Sequence, residues 1–176
     1  MSRQSPSQSS DIVLETERLS LRRLNEGDAP FLLELLNDAS FLRFIGDRGV
    51  RTLDDARSYV RTGPVASYER LGFGLWLTAL RSDEAPVGIC GLLKRDTLDD
   101  VDIGFAFLPA FWSRGYALEA VTAVLSHARD VLGVERVVAV VNSDNASSRK
   151  LLMKVGLKFE RLVQLAPDAP HIELFG

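Results

Sequence analysis

Val101 to Ala128 reads VDIGFAFLPAFWSRGYALEAVTAVLSHA, and its pattern decides the fold. Val101, Ile103, Phe105 and Phe107 alternate with Asp102, Gly104 and Ala106, the period-two signature of a strand. Pro109 lacks a backbone donor, so the strand ends near it. After the turn Phe111-Trp112-Ser113-Arg114-Gly115, apolar residues recur at three- and four-residue steps from Ala117 and Leu118 through Val121 and Val124 to Ala128. That stripe predicts a helix lying on a sheet. The first N–H groups of such a helix have no intrahelical acceptor, and its macrodipole makes that end electropositive. Phosphates bind there. Gly115 lets ligand oxygens approach the main chain and permits positive φ. Arg114 supplies a forked cation, and Ser113 a helix cap or a hydroxyl donor. An ordinary capped turn with an incidental arginine has the same spacing, so the turn alone leaves both readings open.

Outward from this stretch, the chain reads as mixed α and β. Ile12 to Leu24 is the first strand region. Asn25 to Asp28 and Pro30 mark a helix start, followed by the apolar face of Phe31, Leu32, Leu35 and Leu36. Phe41–Val50 has no clear period and reads as a packed connector or a wall over a pocket. Thr52 and Asp55 form a capping-box pair, with Asp in the place of Glu, before a helix reaching Gly63-Pro64. Phe73–Leu80 and Pro86–Lys94 form a hairpin, with Gly88 and Gly91 marking a bulge or a close approach. Cys90 between them reads as a small buried side chain rather than a nucleophile. Val134–Val141 is a strand buried on both faces. Asn145 opens a short helix that Gly156 ends, and Leu157–Leu165 returns as a strand. His171–Phe175 forms a last one, whose edge at Pro170–Phe175 offers a route to a homodimer.

Length and composition narrow the class. The leader, residues 1–11, is Ser/Gln-rich and reads as disordered, leaving 12–176 as one domain, the default for 176 residues. A net charge of -3 argues against nucleic-acid binding by bulk electrostatics. The single cysteine excludes an internal disulfide and fits a reducing cytoplasm. No apolar run spans a bilayer. Two histidines and scattered carboxylates make no metal-ligand spacing, so no metal is expected.

IGFAFLPAFWSRGYALEA followed by VNSDNASSRKLLMKVGLKF resembles the GNAT superfamily of N-acetyltransferases, closest to the branch of ribosomal-protein N-terminal acetyltransferases. ETERLSLRRLNEGDA, GFGLW and PVGICGL extend the resemblance over nearly the whole chain. Trp112 stands where the superfamily usually has Gln or Arg, as is usual in this branch, with Gly115 and Ala117 in the glycine and small-residue places. The resemblance implies a mostly antiparallel central sheet with a splayed parallel strand pair, flanked by helices. It implies acetyl-CoA as co-substrate, its pyrophosphate on the amides from Ser113 through Arg114, Gly115, Tyr116 and Ala117 to Leu118. It also implies a main-chain oxyanion donor at Phe107 or Leu108.

The acceptor must be a free amine. Deprotonating a lysine-like ammonium at pH 7 costs about 4.6 kcal/mol, an α-amine only about 1. Asp102 falls close to where relatives carry a base, though an alternating strand also puts a polar residue on its outer face. Glu160 is a weaker base candidate. Many relatives have a tyrosine as thiolate acid seven residues after the position of Asn145; Leu152 stands there here. In this branch Asn145 and Ser148 are implied to substitute, and both also suit plain helix-start chemistry. The expectation is an N-acetyltransferase using direct attack by a protein N-terminal α-amine or a small-molecule amine. The missing tyrosine keeps a non-catalytic acyl-CoA-binding sensor as the alternative.

Overall fold

A computed structural model describes residues 11–176. The expected disordered leader lies outside them except for Asp11, whose carbonyl accepts the Arg23 N–H at 2.9 Å. Eight strands form one sheet: β1 (Ile12–Glu15), β2 (Leu19–Arg23), β3 (Leu75–Leu80), β4 (Pro86–Leu93), β5 (Val101–Phe107), β6 (Val137–Val141), β7 (Phe159–Val163) and β8 (Ile172–Phe175). Their spatial order is β1-β2-β3-β4-β5-β6-β8-β7, antiparallel except for β5 beside β6. The region expected as one strand from Ile12 is therefore a hairpin. It turns at Thr16, whose N–H bonds the Leu19 carbonyl.

Helices cover both faces. On one lie α1 (Ala29–Leu36), α2 (Ala39–Phe44) and α3 (Leu53–Val60), packed on Leu77 and Ile89. Thr52 and Asp55 make the expected capping box at the start of α3. A π-helical turn, Arg61–Val65, carries the chain past Pro64 into α4 (Ala66–Leu71) without a break. On the opposite face α5 (Tyr116–Asp130) buries Ala120, Val121, Val124 and Ala128 over Trp76, Cys90 and Ile103. This is the stripe that the periodicity marks. α6 (Ala146–Lys154) joins the same core through Leu152. The Phe41 end of the connector is helical rather than irregular: α2 starts on an Asp38 cap and spans too few residues to show a period.

Two glycines in β4 mark close backbone approach. A Cβ on Gly88 would sit 2.4 Å from the Ala106 carbonyl oxygen, and one on Gly91 2.1 Å from that of Gly74. Neither distance leaves room for a methyl group.

The gap in the sheet positions everything that follows. β5 pairs with β6 only at Val101–Val137 and Asp102–Val138, after which β6 turns to pair with β8 through Ala139, Val140 and Val141. The strands splay apart from Ile103 onward. The expected free edge at Pro170–Phe175 is corrected here: β8 has a neighbour on each side, and the edge strand is β7. Among the described residues, no helix is long and apolar enough to cross a membrane.

Candidate active site

Beyond β5, Pro109–Phe111 makes one tight turn and Gly115 becomes the N-cap of α5, with φ of +81°. Ser113 is also left-handed, at φ +59°. Ser113 is therefore not the cap that its residue type suggests. Glycine has no side chain to offer, and among the described residues no side chain caps the helix. The first-turn N–H groups of α5 are left to an external acceptor.

They face a cleft of about 640 Å³. One wall is Trp112, Ser113 and Gly115 with Tyr116, Ala117 and Leu118 from the start of α5; its floor is Phe105, Ala106 and Phe107 of β5. The far wall is the start of α6, including Asn145 and Ser148. The fourth side is α2, through Phe41, Arg43 and Phe44, so half of the unassigned connector is a wall of this cleft. The Pro64–Leu71 region lines a second cavity, of about 360 Å³, with Tyr59 and Lys94.

Trp112 holds the turn in place: its indole N–H donates to the Phe107 carbonyl at 2.8 Å. The two amides nominated as oxyanion donors part company. Leu108 N–H donates to the Val87 carbonyl at 3.0 Å, which makes it part of the ladder with β4. Hydrogen bonding alternates along an antiparallel pair, so the Phe107 amide faces away from β4, toward the splay. Phe107 lines the cleft; Leu108 does not.

Asn145 caps α6, its side-chain oxygen accepting the Ser148 N–H at 3.2 Å. The helix-start chemistry is thus present, and it sets both side chains on the cleft wall.

Asp102 lies elsewhere. It belongs to the paired end of β5, its side chain is 1% exposed, and its carboxylate accepts from Arg95 Nε at 3.0 Å. Burial pushes its carboxyl above the ordinary carboxylate range, against the pull of the Arg95 charge. It does not line the cleft. This placement favours the structural reading of Asp102 over direct contact with an amine in the cleft. Glu160 is a surface charge, bonded to Arg136 at 2.7 Å. Arg114 also stands off the cleft, its guanidinium 5.9 Å over the Phe111 ring. Burial pushes the Cys90 thiol far up, consistent with an inert core side chain.

Sequence reasoning missed three cations. Lys150 and Lys154 line the cleft from successive turns of α6, and Arg43 reaches from α2 to Asp144 at 3.5 Å. The four-residue spacing of the two lysines is the available signal, visible only once α6 has a face toward the cleft. An open helix terminus, three cations and a main-chain amide beside an apolar floor fit a ligand with phosphates at one end and an acyl group at the other.

Residues 18–158, well over half of the chain, match the family model described as the acetyltransferase (GNAT) domain, and the chain belongs to that family. It is an acetyl-CoA-dependent acetyltransferase. The sequence is 28% identical over 153 residues to the uncharacterized N-acetyltransferase YoaA of Bacillus subtilis, covering 86% of each chain. An acetyltransferase structure from Agrobacterium tumefaciens superposes with a TM-score of 0.78 at 21% identity, covering 99% of this chain and 98% of that one. RimL, the ribosomal L7/L12 alpha-N-protein acetyltransferase, in complex with coenzyme A gives 0.79 at 18% identity, covering 94% and 96%.

Proposed function

We propose that the chain acetylates a primary α-amine, of a protein N-terminus or of a small molecule, in a ternary complex with acetyl-CoA. The observation that carries this is the uncapped start of α5, opening into a cleft that runs past the Phe107 amide to Asn145 and Ser148. The first-turn amides of α5, from Gly115 to Leu118, hold the diphosphate, and Lys150 and Lys154 add charge. Acetyl-CoA supplies an acyl group activated by its thioester, whose C–S bond breaks as the C–N bond forms. The Phe107 N–H donates to the carbonyl oxygen as negative charge develops there. The Ser148 hydroxyl donates toward the departing sulfur, and the amine's proton passes to solvent.

The amine class follows from energetics. Asp102 is buried against Arg95, Glu160 does not line the cleft, and the carboxylate that does line it, Asp144, lies 3.5 Å from the Arg43 guanidinium. An α-amine needs about 1 kcal/mol to become free at pH 7, whereas an ε-amine needs about 4.6. The name of the RimL neighbour, an alpha-N-protein acetyltransferase, agrees with that choice.

Thiol release with an amine panel tests the reading. At pH 7 a peptide α-amine should outrun a lysine-type ε-amine by a few hundred-fold, roughly the ratio of their free-base fractions. Comparable rates would refute the α-amine assignment. Ser148→Ala should lower kcat no more than about 30-fold, because a thiolate of pKa near 8.5 needs only about 2 kcal/mol of help at pH 7. Its acetyl-CoA affinity should stay unchanged. Asp102→Asn belongs in the same assay: lost turnover with intact binding would restore a base acting through water.

A further inference from the structure

We propose that Arg18 is a positioning residue for cofactor binding, holding the turn before α5 so that its amides face the cleft. This rests on the assignment of those amides to the diphosphate. Arg18 follows the hairpin turn at Thr16, just before β2, and does not line the cleft. Its Nη1 donates to the Arg114 carbonyl at 2.9 Å. A trans peptide points its C=O and N–H in opposite directions. Drawing the Arg114 carbonyl toward Arg18 therefore aims the Gly115 N–H the other way, toward the cleft that Gly115 lines.

The second half of the device is Glu119, an acid in the first turn of α5. Such a side chain is attracted to the open amides of its own helix and repels an anionic ligand arriving there. Here it is turned away and fully engaged. Oε1 accepts from Thr16 Oγ1 at 2.6 Å and from the Arg18 N–H at 2.9 Å, and Oε2 accepts from Arg18 Nε at 2.7 Å. Burial raises the Glu119 carboxyl, but the hydrogen bonds from Thr16 and Arg18 outweigh it and hold the group below its usual range. The guanidinium also lies 4.5 Å from the Tyr116 ring centroid, and one nitrogen sits 3.3 Å from where a Gly115 Cβ would stand. One arginine thus orients an amide and withdraws a competing charge.

The test compares two ligands of the full chain by calorimetry: acetyl-CoA, and S-acetylpantetheine, which lacks the diphosphate. Arg18→Ala should weaken acetyl-CoA binding by about 10–100-fold, the scale of a lost hydrogen bond to a charged group. S-acetylpantetheine should change less than about twofold on the same reasoning. Adding Glu119→Gln to Arg18→Ala should recover part of the lost affinity by removing the repulsion. Equal weakening of both ligands, or of neither, overturns the proposal. Arg18→Lys keeps a charge beside Glu119 without the fork that also reaches Arg114, and is judged by the same ratio should Arg18→Ala not fold. If the unaltered protein binds both ligands equally, the diphosphate assignment itself falls, an outcome read without any variant.

Discussion

Arg95→Leu is expected to lower folding stability by about 3–5 kcal/mol at neutral pH, because it strands a buried carboxylate. Asp102 has 1% of its side chain exposed, and its two carboxylate oxygens lie 3.3 and 3.0 Å from Arg95 Nε. The direction with pH follows from its titration. Burial already holds the Asp102 carboxyl above its ordinary value, and loss of the guanidinium raises it further. A raised acid folds best protonated. The deficit is therefore small up to the ordinary carboxylate value, about pH 4, where the raised group is still mostly protonated, and grows as pH rises through the folded-state value. Urea unfolding at about pH 4 and pH 7 checks this. A deficit equal at both pH values would mean lost packing, not lost charge. Arg95→Leu with Asp102→Leu should recover most of the loss, since replacing a whole buried pair is often neutral.

Ala117→Asp is expected to move stability and ligand binding in opposite directions. Ala117 is the second residue of α5 and lines the cleft. A carboxylate there complements the helix dipole and should add about 0.3–1 kcal/mol of stability. It also occupies the amides assigned to the diphosphate and sets like charges together, a conflict worth several kcal/mol. Acetyl-CoA affinity should fall about 100-fold or more while the melting temperature holds or rises. Undiminished binding would place the diphosphate elsewhere.

Local chemistry was legible in the sequence; long-range pairing was not. The α5 stripe at Val121 and Val124 and the Thr52–Asp55 box are near-neighbour patterns, and the structure has both. The sheet with its splayed parallel pair came through family resemblance, not periodicity. α2 leaves no readable period because its six residues are under two turns. The four residues of β8 carry no sign that β7, earlier in the chain, lies outside it, so the sequence alone reads β8 as an edge. At the site, Gly115 and Asn145 were readable because turns and caps demand particular residues. The partner of Asp102 was not: Arg95 lies seven residues back, around a hairpin, and only the fold brings it against that strand. Arg18 and Glu119 are separated by 101 residues and carry no mutual signal in one sequence.

The two tryptophans divide the molecule into two optical environments. Trp76, 1% exposed beneath α5, is sealed from solvent and from any ligand, while Trp112, 48% exposed, stands on the cleft wall with its indole N–H on Phe107. Intrinsic emission is thus a blue-shifted constant plus a red-shifted reporter. Acrylamide should quench only the second, and a molecule entering the cleft should shield it without any added dye.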